Sequence, residues 1–214
     1  MASLARVWSA RALTMFYRRV LVLVFGPLRD FPVYKARLPV EIRAVTEDDV
    51  TAYARFRGAD ADEITRRLRR GERCFASWYG GEIVDAGWVA GGVVDLPYMN
   101  CLLRLAPGDL YHYDAYTAPQ FRGAGLYMAR NSFASRLARR EGFLRDVALA
   151  ANENYTAWIL LSRSGLRTIG VYHYLRVGPW HRYWGYAVAG EVFPALCAAD
   201  GSSIPIHPLR VSTR

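Results

Sequence analysis

The sequence predicts one domain of the α/β or α+β type with a short appendage, and three observations point there. Of its 214 residues, 52% are apolar and 14% aromatic, a content that builds a core and excludes a disordered chain. At this length folding buries roughly 70% of the surface of the unfolded chain, so no staple is needed. Strand-like and helix-like stretches alternate along the centre. The clearest is a tyrosine-rich strand that turns through glycines into a long helix between residues 109 and 141.

Composition narrows the chemistry. Cys74, Cys101 and Cys197 are widely spaced, which argues against a disulfide framework or structural zinc and suits a reducing, cytoplasmic compartment. The four histidines show neither HxxxH nor HExxH spacing, so no metal is expected. Twenty-eight Lys+Arg against nineteen Asp+Glu give a net charge of +9, with Lys35 the sole lysine. A basic surface suits an anionic partner: nucleic acid, a phosphate-rich cofactor, an acidic carrier protein or a membrane surface. Genomic composition bias gives the same arginine preference.

Taken in order, residues 1–37 form an N-terminal segment in which a basic, partly amphipathic helix is expected through residues 3–25. Leu4, Val7, Trp8, Leu13, Met15 and Phe16 are mixed there with Arg6, Arg11, Arg18 and Arg19. The uninterrupted apolar run Val20–Phe25 is far short of the about twenty residues needed to span a bilayer, and Gly26-Pro27 is no signal-peptidase site. Such a helix either lies at the inner membrane face as a peripheral contact or docks on protein through its apolar side.

Residues 38–46 alternate as a strand. Thr46 with the acidic Glu47–Asp49 starts a helix to about Gly58, and a second spans 59–71, acidic first and basic last. Its Arg66-Arg67-x-Arg69-Arg70 cluster lacks interleaved aromatics and reads as a solvated helix end rather than a nucleic-acid patch. Strands 73–79 and 82–90 flank the two-residue turn Gly80-Gly81. Residues 91–108 read as an irregular apolar insertion. Strand 109–117, helix 125–141, strand 143–151, helix 154–164 and a strand pair 167–177 and 180–188 follow, then a C-terminal tail, 191–214, expected to be loosely held after Ala198.

The chemistry concentrates at residues 113–127. A strand enters the turn Arg122-Gly123-Ala124-Gly125, which opens directly into a helix at Leu126. Glycines let backbone N–H groups approach a ligand, and the helix start adds orphan donors and positive dipole, together a cradle for pyrophosphate. Neither GxxxxGK[ST] nor GxGxxG occurs, which disfavours an ATPase or a Rossmann dehydrogenase.

This segment resembles motif A of the GNAT superfamily of N-acetyltransferases. Thr117-x-Pro119-x-x-Arg122-x-x-Gly125-x-Tyr127 stands against V-x-P-x-x-R/Q-x-x-G-x-G/A, with Tyr127 in place of the final small residue. Gln120-x-x-Gly123-x-Gly125 fits the bare pattern too, but Pro119 favours the Arg122 register. Further on, Asn154-x-x-Ala157-x-x-x-Leu161-x-x-x-Gly165-Leu166 is similar to N-x-x-A-x-x-x-Y-x-x-x-G-F. Leu161 replaces the tyrosine that in many members protonates the departing thiolate.

The resemblance implies an α+β fold in residues 38–190: a central, mostly antiparallel mixed sheet with one splayed parallel pair and helices on both faces. It implies acetyl-CoA or another acyl-CoA as cosubstrate, no metal, and a small-molecule or peptide amine acceptor that attacks the thioester directly. Ala115, Thr117, Arg122, Gly123, Ala124, Gly125, Leu126, Tyr127 and Asn154 would then bind the cofactor. Asp114 is the candidate base or ammonium anchor; His112 is an alternative base or a structural histidine. Tyr116, like Tyr111 and Tyr113, either protonates the thiolate or lines the acceptor pocket. Strand alternation places His112, Asp114 and Tyr116 on one face and Tyr111, Tyr113 and Thr117 on the other. Tyr155, His173 and His181 fall in regions that in the family can face the acceptor. Two alternatives stay open: a long-chain N-acyl amino acid synthase-like enzyme using acyl carrier protein, and a non-catalytic module binding CoA or nucleic acid, nucleic acid being the less favoured partner.

Overall fold

The computed structural model describes residues 15–151, 154, 159, 165–198 and 201–208. Its strands are β1 (Met15–Phe25), β2 (Glu41–Ala44), β3 (Arg73–Tyr79), β4 (Glu82–Ala90), β5 (Val93–Leu96), β6 (Cys101–Arg104), β7 (Asp109–Thr117), β8 (Arg145–Ala151), β9 (Arg167–Val177), β10 (Trp180–Ala187), β11 (Ala195–Ala198) and β12 (Ile206–Pro208). The α-helices among the described residues are α1 (Val50–Arg57), α2 (Ala61–Arg69) and α3 (Leu126–Arg140). No helix there is long and apolar enough to cross a membrane. The chain divides into two compact units. The first comprises residues 1–23, 95–104 and 149–214; the second comprises residues 24–94 and 105–148.

In the second unit the strands lie in the order β8-β7-β4-β3-β2. All neighbours are antiparallel except β7 and β8, which run parallel from Asp109↔Arg145 to His112↔Ala148. Beyond that pair, Tyr113–Thr117 has no register partner in β8. Gly80 and Gly81, both at positive φ, make the two-residue β3–β4 turn, as the sequence predicts. On one sheet face Tyr53 and Ile64 of α1 and α2 pack on Cys74, Ala76, Ile83, Ala86 and Trp88. On the other, Ala134 and Ala138 of α3 pack on Phe75, Val89 and Leu110. Trp88 Nε1 donates to the Tyr53 hydroxyl at 2.7 Å, so the bulkiest core residue is also polar-satisfied.

Local chemistry sets the helix ends. Asp49 accepts from the Thr46 backbone N–H at 3.0 Å and pairs with Arg43 at 2.6 Å, and α1 stops where Gly58 turns left-handed. Asp60 caps α2 by accepting from Asp62 N–H at 3.1 Å.

In the first unit β12, β10, β9 and β1 lie side by side, with β9 and β10 antiparallel and β10 and β12 parallel. A second, three-stranded sheet has the order β11-β6-β5 and buries Leu103 against Leu196. Gly170 is required here, because a Cβ would sit 2.3 Å from the Tyr186 carbonyl oxygen and 2.4 Å from the Phe193 ring.

Three expectations are corrected. Residues 15–25, expected to be the end of an amphipathic helix, are strand β1: Val20, Val22 and Val24 alternate inward, all fully buried, and a β-branched run of period two favours a strand. The start of that segment lies outside the described residues. The stretch 91–108 is not irregular, since it holds β5, a 3₁₀ turn at Pro97–Met99 and β6. After Ala198, where a loosely held tail is expected, Ile204 is buried and Ile206–Pro208 form β12. Within the helix expected at 154–164, Ile159 is helical; Ala157, Leu161 and Tyr155 lie outside the described residues.

Candidate functional site

The site is built where β7 ends and α3 begins. Thr117 closes the strand, Ala118 N–H still bonds Val84 O at 2.9 Å, and Pro119–Phe121 form a 3₁₀ turn. Gly123 and Gly125 then take φ of +81° and +76°, a left-handed conformation that glycine adopts freely. A Cβ at Gly123 would meet nothing within 4 Å, so this backbone lies open. No side chain caps α3 at Gly125, and its first turn keeps its orphan N–H donors. Leu126, fully buried, fixes the helix start to the core.

Cations surround this turn. Arg122 is exposed and reaches back to the Thr117 carbonyl with Nε at 3.3 Å. Residues 32–37 run alongside. Ser132 Oγ donates to Pro32 O at 2.9 Å and accepts from Tyr34 N–H at 3.3 Å, while Arg37 N–H donates to Ala124 O at 2.8 Å. Lys35 and Arg37, both exposed, therefore sit on a strap bonded to the turn. Sequence reasoning missed them because nothing local marks a contact about ninety residues away.

Tyr127 lies in the first turn of α3. Its ring lies 5.4 Å from the Arg130 guanidinium, and burial, helped by the Asp85 and Asp146 carboxylates, pushes its hydroxyl pKa up against the opposing pull of Arg130 and Asn131. It belongs to a polar seam beneath α3. There Arg130 pairs with Asp85 at 2.7 Å, both fully buried, and Asp85 also accepts from the Thr117 hydroxyl at 2.6 Å. The Thr117 side chain is thus held by Asp85, and its carbonyl accepts from Arg122.

The catalytic candidates separate. Ala86 pairs with Tyr116 and Trp88 with Tyr113, so Gly87 alone opposes both Asp114 and Ala115. This is a β-bulge, and Asp114 takes φ +47° in it. The expected alternation therefore fails. Asp114 faces α1 and α2, where its oxygens accept from Arg57 at 2.8 Å and Arg67 at 2.9 Å. Tyr116 is on the same side, under the Arg57 guanidinium at 4.5 Å and edge-on to Phe56, and Tyr113 stacks with Tyr111 there. His112 lies on the opposite, α3 side: Nε2 is 3.0 Å from Asp146 Oδ1, without hydrogen-bond alignment, and Asp146 accepts from Ser135 at 2.5 Å. The bulge adds one residue and reverses the parity of everything after it.

Arg57 and Arg67 are functional candidates the sequence does not reveal. Arg67, read as part of a solvated helix end, is half-buried over Trp88 and also bonds Glu63. Burial opposes its charge, but the Asp114 and Glu63 carboxylates prevail and raise its pKa. Tyr113 is held by Glu72; burial and that carboxylate push its hydroxyl far up, so it stays protonated near neutrality. Asn154 is exposed just after β8, its N–H on Ala151 O at 2.8 Å; it falls in the first unit, whereas the turn falls in the second. His173 and His181 are also in the first unit, stacked on Trp184 and Tyr174 respectively. Among the described residues no group of three or more His, Cys, Asp or Glu side chains could hold a metal ion.

No family model matches this chain, and no curated protein matches it. Solved structures do. A conserved Staphylococcus epidermidis protein of unknown function superposes with a TM-score of 0.52 at 12% identity, over 83% of this chain and 68% of its own. A Drosophila protein gives 0.55 at 18% identity, over 82% and 57%. An acetyltransferase of the GNAT family from Colwellia psychrerythraea gives 0.51 at 17% identity, over 82% and 61%. The chain spans less than two thirds of the length of the last two. At such identities the likeness is one of fold, and the fold is the mixed sheet with helices found in GNAT acetyltransferases.

Proposed function

We propose that the chain transfers a short acyl group from acyl-CoA, acetyl-CoA first among them, to an amine by direct attack. The observation that carries this reading is the uncapped start of α3 behind two left-handed glycines, beside a β7 edge that has lost its β8 partner. Orphan N–H donors, the dipole and the neighbouring Arg122, Lys35 and Arg37 suit the phosphates of CoA. The open edge of Tyr113–Thr117 suits a pantetheine arm, and the bulge at Asp114–Ala115 is the place for an N–H aimed at the thioester oxygen.

The Asp114 cluster acts on the acceptor. Arg57 and Arg67 hold the Asp114 carboxylate in place beside the β7 edge, and Glu63 shares Arg67 with it. Asp114, positioned between Arg57 and Arg67, takes the proton of the attacking amine, directly or through water. Tyr116 lines the acceptor side. His112, buried on the other face, is a structural residue in this scheme.

A long-chain donor on a carrier protein drew on three features, and two of them change: the membrane-compatible helix expected over residues 3–25 is a strand from Met15 on, and the apolar insertion at 91–108 holds two strands, while the basic surface remains. The short-chain CoA thioester is therefore the reading carried forward. Gly125→Glu tests it, because a carboxylate would stand where the pyrophosphate must lie. Titration calorimetry with CoA should show binding to the wild type and none to the variant, and thiol release from acetyl-CoA with a panel of amines should fall with it. Retained CoA affinity in a folded Gly125→Glu protein would overturn the assignment.

A further inference from the structure

A hollow of about 380 Å³ opens within the first unit, lined by Phe16, Tyr98, Asn100, Tyr174, Arg176 and His181 among others. It shares no residue with the α3 turn or the Asp114 cluster. Its size suits a small molecule rather than a polymer.

The walls are rings with fixed orientations. Tyr174 stacks on Tyr183 at 5.0 Å and 18°, and on His181 at 5.9 Å and 17°. Phe16 meets Tyr174 edge-on at 5.9 Å. The Tyr183 hydroxyl ties the rim by reaching both Met99 O, at 2.8 Å, and Asn100 O, at 2.9 Å. Asn100 holds the left-handed φ of +50°, a conformation asparagine tolerates better than most residues. With Tyr174 buried as their backing, the exposed Tyr98 ring and the half-buried Phe16 ring are the surfaces a flat aromatic guest meets, at little ordering cost.

The polar groups include a cation. Arg176 is exposed, lies 5.9 Å over the Phe16 ring and has no carboxylate partner among the described residues. The Tyr174 hydroxyl sits 2.9 Å from His181 Nδ1, and burial raises its pKa, so it stays an O–H. The hydrogen bond occupies Nδ1 and leaves His181 Nε2 as the ring nitrogen free to meet a guest. An uncompensated guanidinium beside aromatic walls recognises a ring that bears an anionic group.

We propose that this hollow is a binding site for a small aromatic anion, one planar ring carrying a carboxylate or a phosphate. The proposal is independent of the acyl-transfer reading, since none of its residues takes part in that scheme.

The test uses the full-length protein and four probes: phenylacetate, phenyl phosphate, benzyl alcohol and inorganic phosphate. Titrations followed by ¹⁵N–¹H chemical shifts should show the two ring-bearing anions binding, with shifts at Tyr174, Arg176 and His181. Benzyl alcohol and inorganic phosphate, each lacking one half of the recognition, should bind at least about tenfold more weakly. Arg176→Gln should weaken both anions by about tenfold or more, whereas Arg182→Gln, an exposed cation over Trp184 outside the hollow, should not. Tighter phenyl phosphate would assign the natural ligand as a phosphate ester, and tighter phenylacetate as a carboxylic acid. Binding of all four probes alike, no binding by either anion, or indifference to Arg176→Gln would overturn the proposal.

Discussion

Replacing Gly87 by alanine should cost far more stability than one added methyl group suggests. A Cβ built there would lie 2.4 Å from Arg130 Nη1, 2.7 Å from Cζ and 2.8 Å from Nη2. Carbon contacts become comfortable only near 3.5 Å, so the guanidinium would have to retreat by about 1 Å. It has nowhere to go: Arg130 is 1% exposed and bonds Asp85 at 2.7 Å and Asn131 at 3.0 Å. Full loss of a buried pair costs about 3–5 kcal/mol and overpacking alone about 1–3 kcal/mol. Asp85 keeps its bond from Thr117, so the expected cost is about 2–4 kcal/mol. Urea unfolding of wild type, Gly87→Ala, Arg130→Met and the double variant would measure it. Because the more pliable, uncharged methionine can yield, the alanine should cost less than about 1 kcal/mol in the Arg130→Met background. An equal cost in both backgrounds, or none in either, would refute the view that Gly87 is kept small by a buried arginine.

Asp114→Asn preserves the left-handed backbone but not the charge. Turnover should fall by about a hundredfold or more, with CoA affinity nearly unchanged; full activity would remove Asp114 from the mechanism. Asp49, bonded to Arg43 and to Thr46, has its pKa lowered from 3.8 to about 2. A depressed folded value means that its stabilisation is complete above the unfolded value near 3.8 and is lost as pH falls through about 2. Carboxyl ¹³C shifts should show that low midpoint in the wild type and one near the ordinary value in Arg43→Ala; an unchanged midpoint would exclude Arg43 as the cause. Burial pushes the Cys74 and Cys101 thiols up to about 12. Neither should react with iodoacetamide at pH 8 until urea unfolds the chain, and rapid native labelling would contradict their packing.

The parts of the fold that were legible in the sequence are those set by local signals. The Gly80-Gly81 turn, the Gly58 stop and the passage from β7 through glycines into α3 each follow from residues adjacent in the chain. Residues 15–25 were misleading because an apolar run of six satisfies both periodicities, and only the burial of Val20, Val22 and Val24 settles which one operates. At the candidate site the turn was readable, whereas the charge environment was not. Arg57 and Arg67 reach Asp114 across 57 and 47 residues, and Lys35 and Arg37 reach the turn from before the first sheet strand of their unit. No local pattern encodes such pairings, since they arise only when α1, α2 and the strap dock.

The bulge in β7 has a consequence for how this segment can change. Because one extra residue sets the phase of everything beyond Tyr113, side-chain identity from 114 to 117 is read in a frame, much as codons are. A substitution alters one letter of that frame and leaves Tyr116 under Arg57 and Thr117 on Asp85. Deleting Ala115 would remove the bulge itself: Tyr116 and Thr117 keep their partners across β4, but Asp114 returns to strict alternation and turns toward the α3 face, away from Arg57 and Arg67. The segment is therefore tolerant in spelling and intolerant in length, the reverse of what a surface loop permits.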